Sequence, residues 1–365
     1  MLSTDASILE PGSEAYERMK DYGTLADKLD IIVCTTGSSR HELAISSTTR
    51  AIPTNSSSKI WYVRDMVAVA KRSITGDVDV VTSQDPFETG LAGWFIAHRL
   101  RAKLQLQVHT DFLSPYFRRE SFKNRIRVVL AKWLLPKADG IRVVSERIKK
   151  SLLIVGIPEK NIVVLPILVD AVKIQSAPII VDLHKKYPQF DFIILTASRL
   201  EPEKNIPFAI DAMKDVIVKY PKTGLIIAGD GSLRKELEEQ ASENNLKDNV
   251  IFEGWVEDVA SYYKTADLLW SISAYEGYSR GIRLSNIVGT SVVTTDVGLV
   301  GEALNPANCE IIRIGDTQSL VDATLKLISD GAFNKAMARR AQQSALSSVM
   351  SKGEYLKRYK ESWQM

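Results

Sequence analysis

Several things that would narrow the chemistry at once are scarce here. The chain has two cysteines in 365 residues, which is too few for a disulfide framework. Cys34 follows the apolar run "IIV" and Cys309 precedes "EII", so both are expected in or beside strands, in a reducing compartment with the cytoplasm as natural location. The four histidines, at positions 41, 98, 109 and 184, include no helical i, i+4 pair, which disfavours a metal hydrolase. No G-x-S-x-G elbow occurs, which argues against a Ser-His-Asp hydrolase. No apolar run reaches the roughly 18 residues of a membrane span. The N-terminal "MLSTDASILEPGS" lacks the basic start and apolar core of a signal peptide. A formal charge of +3 is too small to mark a nucleic-acid binder.

What is present reads as an ordinary folded chain, 45% hydrophobic and 25% charged. At roughly 150 residues per domain, its length predicts two domains. Short Val- and Ile-rich runs alternate with longer amphipathic segments, the pattern of parallel sheets covered by helices on both faces. Strands are expected at 31–34, 78–82, 104–108, 141–144 and 162–165, then at 192–197, 225–228, 250–252, 268–273, 292–295 and 311–314. Two such series in tandem predict an α/β protein of two doubly wound Rossmann-like domains. The proline-bearing connection "LPILVDAVKIQSAPIIVDLHKKYPQFD" puts the boundary near Asp170, giving domains 1–170 and 171–350. The Ser/Thr-rich stretch Thr35 to Ser58 reads as an exposed loop or irregular insertion. Ligands of open α/β sheets bind at the carboxyl ends of the strands, so two domains facing each other predict a cleft lined by strand-end loops.

Those loops carry the candidate residues. After the strand at 192–197, "SRLEPEKN" places Arg199 and Lys204 just before a helix. Such cations are able to hold a diphosphate together with helix amides, or to be solvated charges paired with Glu201 and Glu203. "GDGSLRKELEEQ" has Gly229 and Gly231 but Arg234 where a dinucleotide fingerprint wants a third glycine, so a dehydrogenase reading is weak. The turn is expected to let backbone approach a ligand closely. "FEGWVED" offers Gly254 and Trp255, either a platform for a planar base or core filler. His109 in "VHTD" ends a strand and is open to a structural or a functional role.

Taken together, "SRLEPEKN", "GDGSLRKELEE", "FEGWVED", "ADLLWSISAYEGYSRG" and "VGTSVVTTDVGLVGE" resemble the donor domain of retaining glycosyltransferases of family 4, of the GT-B fold. The first half resembles the same family more loosely through "STDASILEPGS", "QDPFETGLAGWFIAHRL", "VHTD" and "ADGIRVVSERIKKSL". The resemblance implies transfer of a sugar from a nucleoside-diphosphate sugar to a glycan, lipid-linked or small acceptor, with retention of configuration. It implies no cofactor and no obligate metal. Arg199 and Lys204 become the donor diphosphate clamp. His109 faces the donor sugar and Glu276 bonds its hydroxyls. Gly277, Tyr278, Ser279 and Arg280 form the sugar–phosphate loop, and Gly12 and Ser13 form a phosphate loop in the first domain. Gly254 and Trp255 border the base. The segment "KGEYLKRYKESW" resembles the helix that crosses back onto the N-terminal domain, residues 351–365.

Two departures from the family stand out. The family places a second glutamate eight positions after the first, on the ribose diol, and this chain has Leu284 there. Losing that contact costs about 2–4 kcal/mol of donor binding. Ser285, beside it, is a candidate for a weaker ribose contact; a catalytically silent GT-B scaffold or partner subunit is the alternative reading. The family also opens on five or six apolar residues where this chain has Met1 and Leu2, so the first strand looks clipped.

From Arg118 to Lys150, eleven arginines and lysines outnumber the acids Glu120, Asp139 and Glu146. With Leu, Ile, Val and Trp133 interleaved at helical spacing, part of the segment reads as a peripheral contact with the inner face of an anionic membrane, as a lipid-phosphate acceptor site, or as an amphipathic helix with a solvated basic face.

Overall fold

A computed structural model describes residues 1–37 and 39–365. The chain divides into two compact units, one made of Met1–Pro166 with Ser351–Met365, the other of Ile167–Met350.

The first unit is built on a sheet of β1 (Leu2–Ser3), β2 (Leu29–Val33), β3 (Leu43–Ala44), β4 (Thr49–Pro53), β5 (Val80–Ser83), β6 (Lys103–Val108), β7 (Gly140–Val143) and β8 (Ile162–Val164). Their order is β3-β4-β2-β1-β5-β6-β7-β8, parallel except for β3 against β4. β1 has two residues and lies between β2 and β5, a central place in the sheet.

The stretch 35–58 is not a loop or an irregular insertion throughout, although residue 38 lies outside the described residues. It contributes β3 and β4, and β4 runs beside β2 over five residue pairs. The Ser/Thr content hides this strand because Thr49 and Ala51 are buried at 2% and 0% exposure. Just past the strand, Thr54 Oγ1 donates to Thr35 O at 3.1 Å.

The helix Lys352–Trp363 belongs to this first unit. Its Tyr355, Tyr359, Ser362 and Trp363 are buried. Tyr359 stacks on Tyr22 at 4.0 Å between ring centroids, and Ser362 Oγ accepts from Gln105 Nε2 at 3.0 Å. These tyrosines also surround Arg142 of β7, which is 2% exposed and donates to Tyr355 OH at 3.1 Å.

The second unit carries a six-stranded parallel sheet: β9 (Phe192–Ala197), β10 (Thr223–Ala228), β11 (Val250–Gly254), β12 (Leu268–Ser271), β13 (Ser291–Thr295) and β14 (Glu310–Ile312). The order is β11-β10-β9-β12-β13-β14. The helix Ile206–Lys219 buries Phe208, Ile210, Met213 and Val216 against it, about 1.5–3 kcal/mol for each large apolar side chain. Trp270 is 1% exposed and its indole donates to Thr324 Oγ1 at 3.1 Å, so this large core residue leaves no polar atom unmet.

Cys34 and Cys309 are free and buried, and burial pushes both thiols up to about 12. Neither is a reactive thiolate. Among the described residues, no helix is long and apolar enough to cross a membrane.

Candidate active site

All six strands of the second sheet run one way, so their carboxyl ends share one edge. Ala197, Ala228 and Gly254 are register partners there. Gly229 N donates to Gly254 O at 2.7 Å and Ser198 N to Ala228 O at 3.0 Å, which ties three sequence-distant loops together. The glycines of "GDGS" serve this junction. A Cβ at Gly229 meets Ser198 O at 1.9 Å and one at Gly231 meets Leu200 O at 2.5 Å, so only bare backbone fits.

Lys204 closes the short 3-10 turn Pro202–Lys204 after β9, and Glu276 lies on the loop after β12. β9 and β12 are neighbours, and Ala274 N donates to Glu203 O at 2.8 Å, so the two loops are pinned side by side. The Lys204 ammonium contacts the Glu276 carboxylate, with side chains 16% and 18% exposed. Ser273 Oγ donates to the same Glu276 oxygen at 2.9 Å. Arg199 stays 68% exposed and pairs with Glu203 at 2.7 Å. Of the two cations, then, only Lys204 meets Glu276; Arg199 keeps the surface pairing.

The helix Arg280–Val288 begins beside Glu276. Its N-cap, Ser279, has φ 65° and makes no side-chain capping bond. A left-handed serine at a helix start is a strained choice, and its Oγ is buried without a partner. Gly298 explains the crowding: it has φ +56°, and a Cβ there falls 2.2 Å from Ser279 Oγ and 3.3 Å from Glu276 Cβ. Gly277 and Tyr278 are buried and Arg280 is exposed.

Leu284 is half-buried on this helix. Ser285 does not offer a ribose contact: it is fully buried and its hydroxyl donates to Thr290 O at 3.0 Å. At the end of β11, Trp255 is 77% exposed, which rules out core filler, while Gly254 takes φ +71° against the Arg234 guanidinium.

In the first unit, Gly12 is exposed with φ +85° and open space around it, and Ser13 caps the helix Glu14–Gly23 by accepting from Tyr16 N at 3.0 Å. His109 follows β6. Burial, then the charges of Arg142 and Arg18, push its imidazole down to about 3, so it is neutral at physiological pH. Its tautomer follows from its neighbours. Arg142 only donates, and Nη1 lies 2.8 Å from Gln107 Oε1, so that oxygen is an acceptor. His109 Nε2 is 3.1 Å from the same oxygen and must carry the proton, leaving Nδ1 as the bare nitrogen. Gln107 Nε2 in turn donates to Thr82 Oγ1 at 2.9 Å and Tyr359 OH at 2.8 Å.

The basic run 118–150 does not form one face. Arg142 is buried in β7 and Lys149 pairs with Glu159 at 2.7 Å.

Two consecutive blocks of the chain match family models: residues 24–173 match Glycosyltransferase Family 4 and residues 183–344 match Glycosyl transferases group 1. The chain belongs to the family 4, group 1 glycosyltransferases. Relatives of this glycosyltransferase include the alpha-monoglucosyldiacylglycerol synthase of Streptococcus pneumoniae, 30% identical over 229 residues that cover 59% of this chain and 51% of that protein. The chain thus spans about half the length of that relative. The UDP-Gal:alpha-D-GlcNAc-diphosphoundecaprenol alpha-1,3-galactosyltransferase of Escherichia coli is 24% identical over 303 residues, 76% of this chain and 73% of that one. Among solved structures, sucrose-phosphate synthase of Thermosynechococcus elongatus superposes with TM-score 0.82 at 18% identity, covering 100% of this glycosyltransferase and 98% of that chain. Anabaena HepE in complex with UDP and glucose superposes with TM-score 0.77 at 20% identity over the same shares. These likenesses show the fold, two Rossmann-like α/β domains of the GT-B class.

Sequence reasoning missed Gln107, Ser273 and Gly298. Gln107 had a signal: a polar residue alternating into the strand "KLQLQV" is out of place unless it bonds something buried. Gly298 had none, because a glycine in a loop does not announce which side chain it makes room for.

Proposed function

We propose that the protein transfers a sugar from a UDP-sugar to a lipid-linked acceptor with retention of anomeric configuration. The observation that carries this reading is the meeting of Lys204, Glu276 and Ser273 beside the start of the helix Arg280–Val288. That arrangement sets one cation and a helix N-terminus next to one carboxylate. The cation and helix dipole suit a leaving diphosphate, and the carboxylate suits sugar hydroxyls. Lys204, with Arg199 and the helix amides, takes up the charge that grows as the bond from sugar C1 to the diphosphate breaks. The acceptor hydroxyl oxygen then takes that bond to C1, and its proton passes to an oxygen of the departing diphosphate. No obligate metal enters this assignment.

Glu276 orients the sugar, and Gly277, Tyr278, Ser279 and Arg280 line the sugar–phosphate loop. Trp255, exposed beside Gly254, borders the base. In the first unit, neutral His109 offers a sugar hydroxyl an uncharged partner, and Gly12 with Ser13 forms the phosphate loop there. The names of the E. coli and S. pneumoniae relatives supply the donor base and the lipid-borne acceptor in this reading.

A thermal-shift and calorimetric screen of UDP-, GDP- and ADP-sugars tests it. Binding confined to UDP-sugars, with release of UDP when a polyprenyl-diphosphate sugar or diacylglycerol is added, is the expected result. Silence toward every donor refutes it and leaves a scaffold or partner subunit, the reading that Leu284 in place of the family glutamate suggests.

A further inference from the structure

The helix Phe122–Leu134 is apolar on the face it turns away from the protein. Asn124, Val128, Ala131 and Leu134 are its buried residues. On the opposite side Phe122, Ile126, Val129 and Trp133 are 75%, 54%, 70% and 45% exposed. Their spacing of i, i+4, i+7 and i+11 makes them one continuous stripe. A helix on an ordinary protein surface carries polar residues there, and a row of large exposed apolar side chains marks a contact surface. The stripe also extends sideways. Trp133 packs edge-on against Trp94 at 5.2 Å between ring centroids, and Trp94 against Phe95, itself 47% exposed.

Cations frame this stripe. At 100° per residue around the helix, Arg125 and Lys132 fall on one flank and Lys123 on the other. Arg118 and Arg119 extend from the preceding helix Pro115–Glu120. All five are exposed, and among the described residues Arg118, Arg119, Arg125 and Lys132 form no ion pair. Lys137 holds its ammonium 4.4 Å above the Trp133 ring, pairing an indole with a cation as at a lipid–water boundary. With +3 on the whole chain, this is a local concentration of positive charge rather than a property of the molecule.

The charge decides the occupant. A second copy of the chain presents the same cations, so a face-to-face contact between copies sets like charges together around the stripe. An anionic bilayer answers both parts at once, apolar side chains into the boundary below the headgroups and cations onto the headgroup phosphates. We propose that this face docks the protein flat on a membrane surface rich in anionic lipid. Docking needs no sugar donor, so it stands apart from the transfer reaction.

Vesicle co-sedimentation of the full chain tests it, with vesicles of phosphatidylglycerol and phosphatidylcholine in equal parts against phosphatidylcholine alone. The expected result is binding to the anionic vesicles that weakens at least about tenfold in 0.5 M salt and in Arg118→Glu/Arg119→Glu/Arg125→Glu. It is also expected to weaken about tenfold in Ile126→Ser/Val129→Ser. All five positions are exposed, and thermal unfolding of each variant confirms that the fold is kept. Absence of binding, equal binding to both vesicles, or unchanged binding in folded variants overturns the proposal. So does a concentration-dependent dimer in sedimentation velocity that Ile126→Ser/Val129→Ser abolishes without any vesicle binding.

Discussion

Removing the Lys204 ammonium probes the site where its parts converge. Lys204 and Glu276 are 16% and 18% exposed, too buried for a screened surface pair. In Lys204→Ala the carboxylate keeps Ser273 but loses a charge-assisted bond, which costs about 1.5–3 kcal/mol of stability. Glu276→Gln keeps a neutral acceptor for the ammonium and costs less, roughly 1 kcal/mol. The double variant closes a cycle whose coupling is about 1–2 kcal/mol. The same variants separate the roles proposed for the two groups. Lys204→Ala weakens UDP binding by roughly ten- to hundredfold, the equivalent of one lost charge-assisted bond. Glu276→Gln leaves UDP binding unchanged or tighter, because a competitor for the ammonium is gone, yet lowers transfer. Urea unfolding and UDP calorimetry on the four proteins read all of this. Coupling below about 0.3 kcal/mol, together with UDP affinities within about twofold of one another, refutes the reasoning.

Other expectations follow from the same geometry. Leu284→Glu restores the carboxylate the family places on the ribose and is expected to tighten UDP binding by tens- to several-hundred-fold; calorimetry with UDP against uridine-free pyrophosphate shows whether the gain lies in the nucleoside. His109 stays neutral down to about pH 3 when folded, whereas its unfolded value is 6.5. The unfolded state therefore takes up the proton first, and stability falls as pH drops below about 6.5 with a slope of up to about 1.4 kcal/mol per unit. His109→Asn removes that slope, and equal pH dependence of urea midpoints in the two proteins contradicts it. Gly298→Ala drives a methyl into Ser279 Oγ and is expected to cost about 1–3 kcal/mol and most transfer activity, with Ser279→Gly in the same chain recovering part of both. EDTA is expected to leave turnover unchanged, and loss of turnover restored by a divalent cation contradicts a clamp built of Lys204, Arg199 and amides.

The βα alternation was legible because parallel strands buried on both faces are runs such as "FIILTA", which no other element explains as well. β4 was not, since "TRAIP" looks like turn chemistry until Thr49 and Ala51 are seen buried and paired beside a neighbouring strand. The candidate site was legible as motifs in order, but the motifs did not say which groups touch. Lys204 reaches Glu276 only because β9 and β12 are adjacent in the sheet, while Arg199, five residues earlier, turns to Glu203. The tautomer of His109 lay further out of reach, set by Arg142 through Gln107 from a strand thirty-odd residues away. The sequence showed a basic segment without its shape, because Arg142 and the exposed arginines look alike until one is buried.

The most direct test of sugar transfer follows labelled sugar from UDP-glucose and UDP-galactose into a lipid-extractable product, with the anomeric configuration read by NMR and Glu276→Gln as the control. The account predicts UDP release matched by product of retained configuration, and near-complete loss in the variant. Stoichiometric UDP binding with no transfer from either donor, or equal transfer by Glu276→Gln, contradicts it.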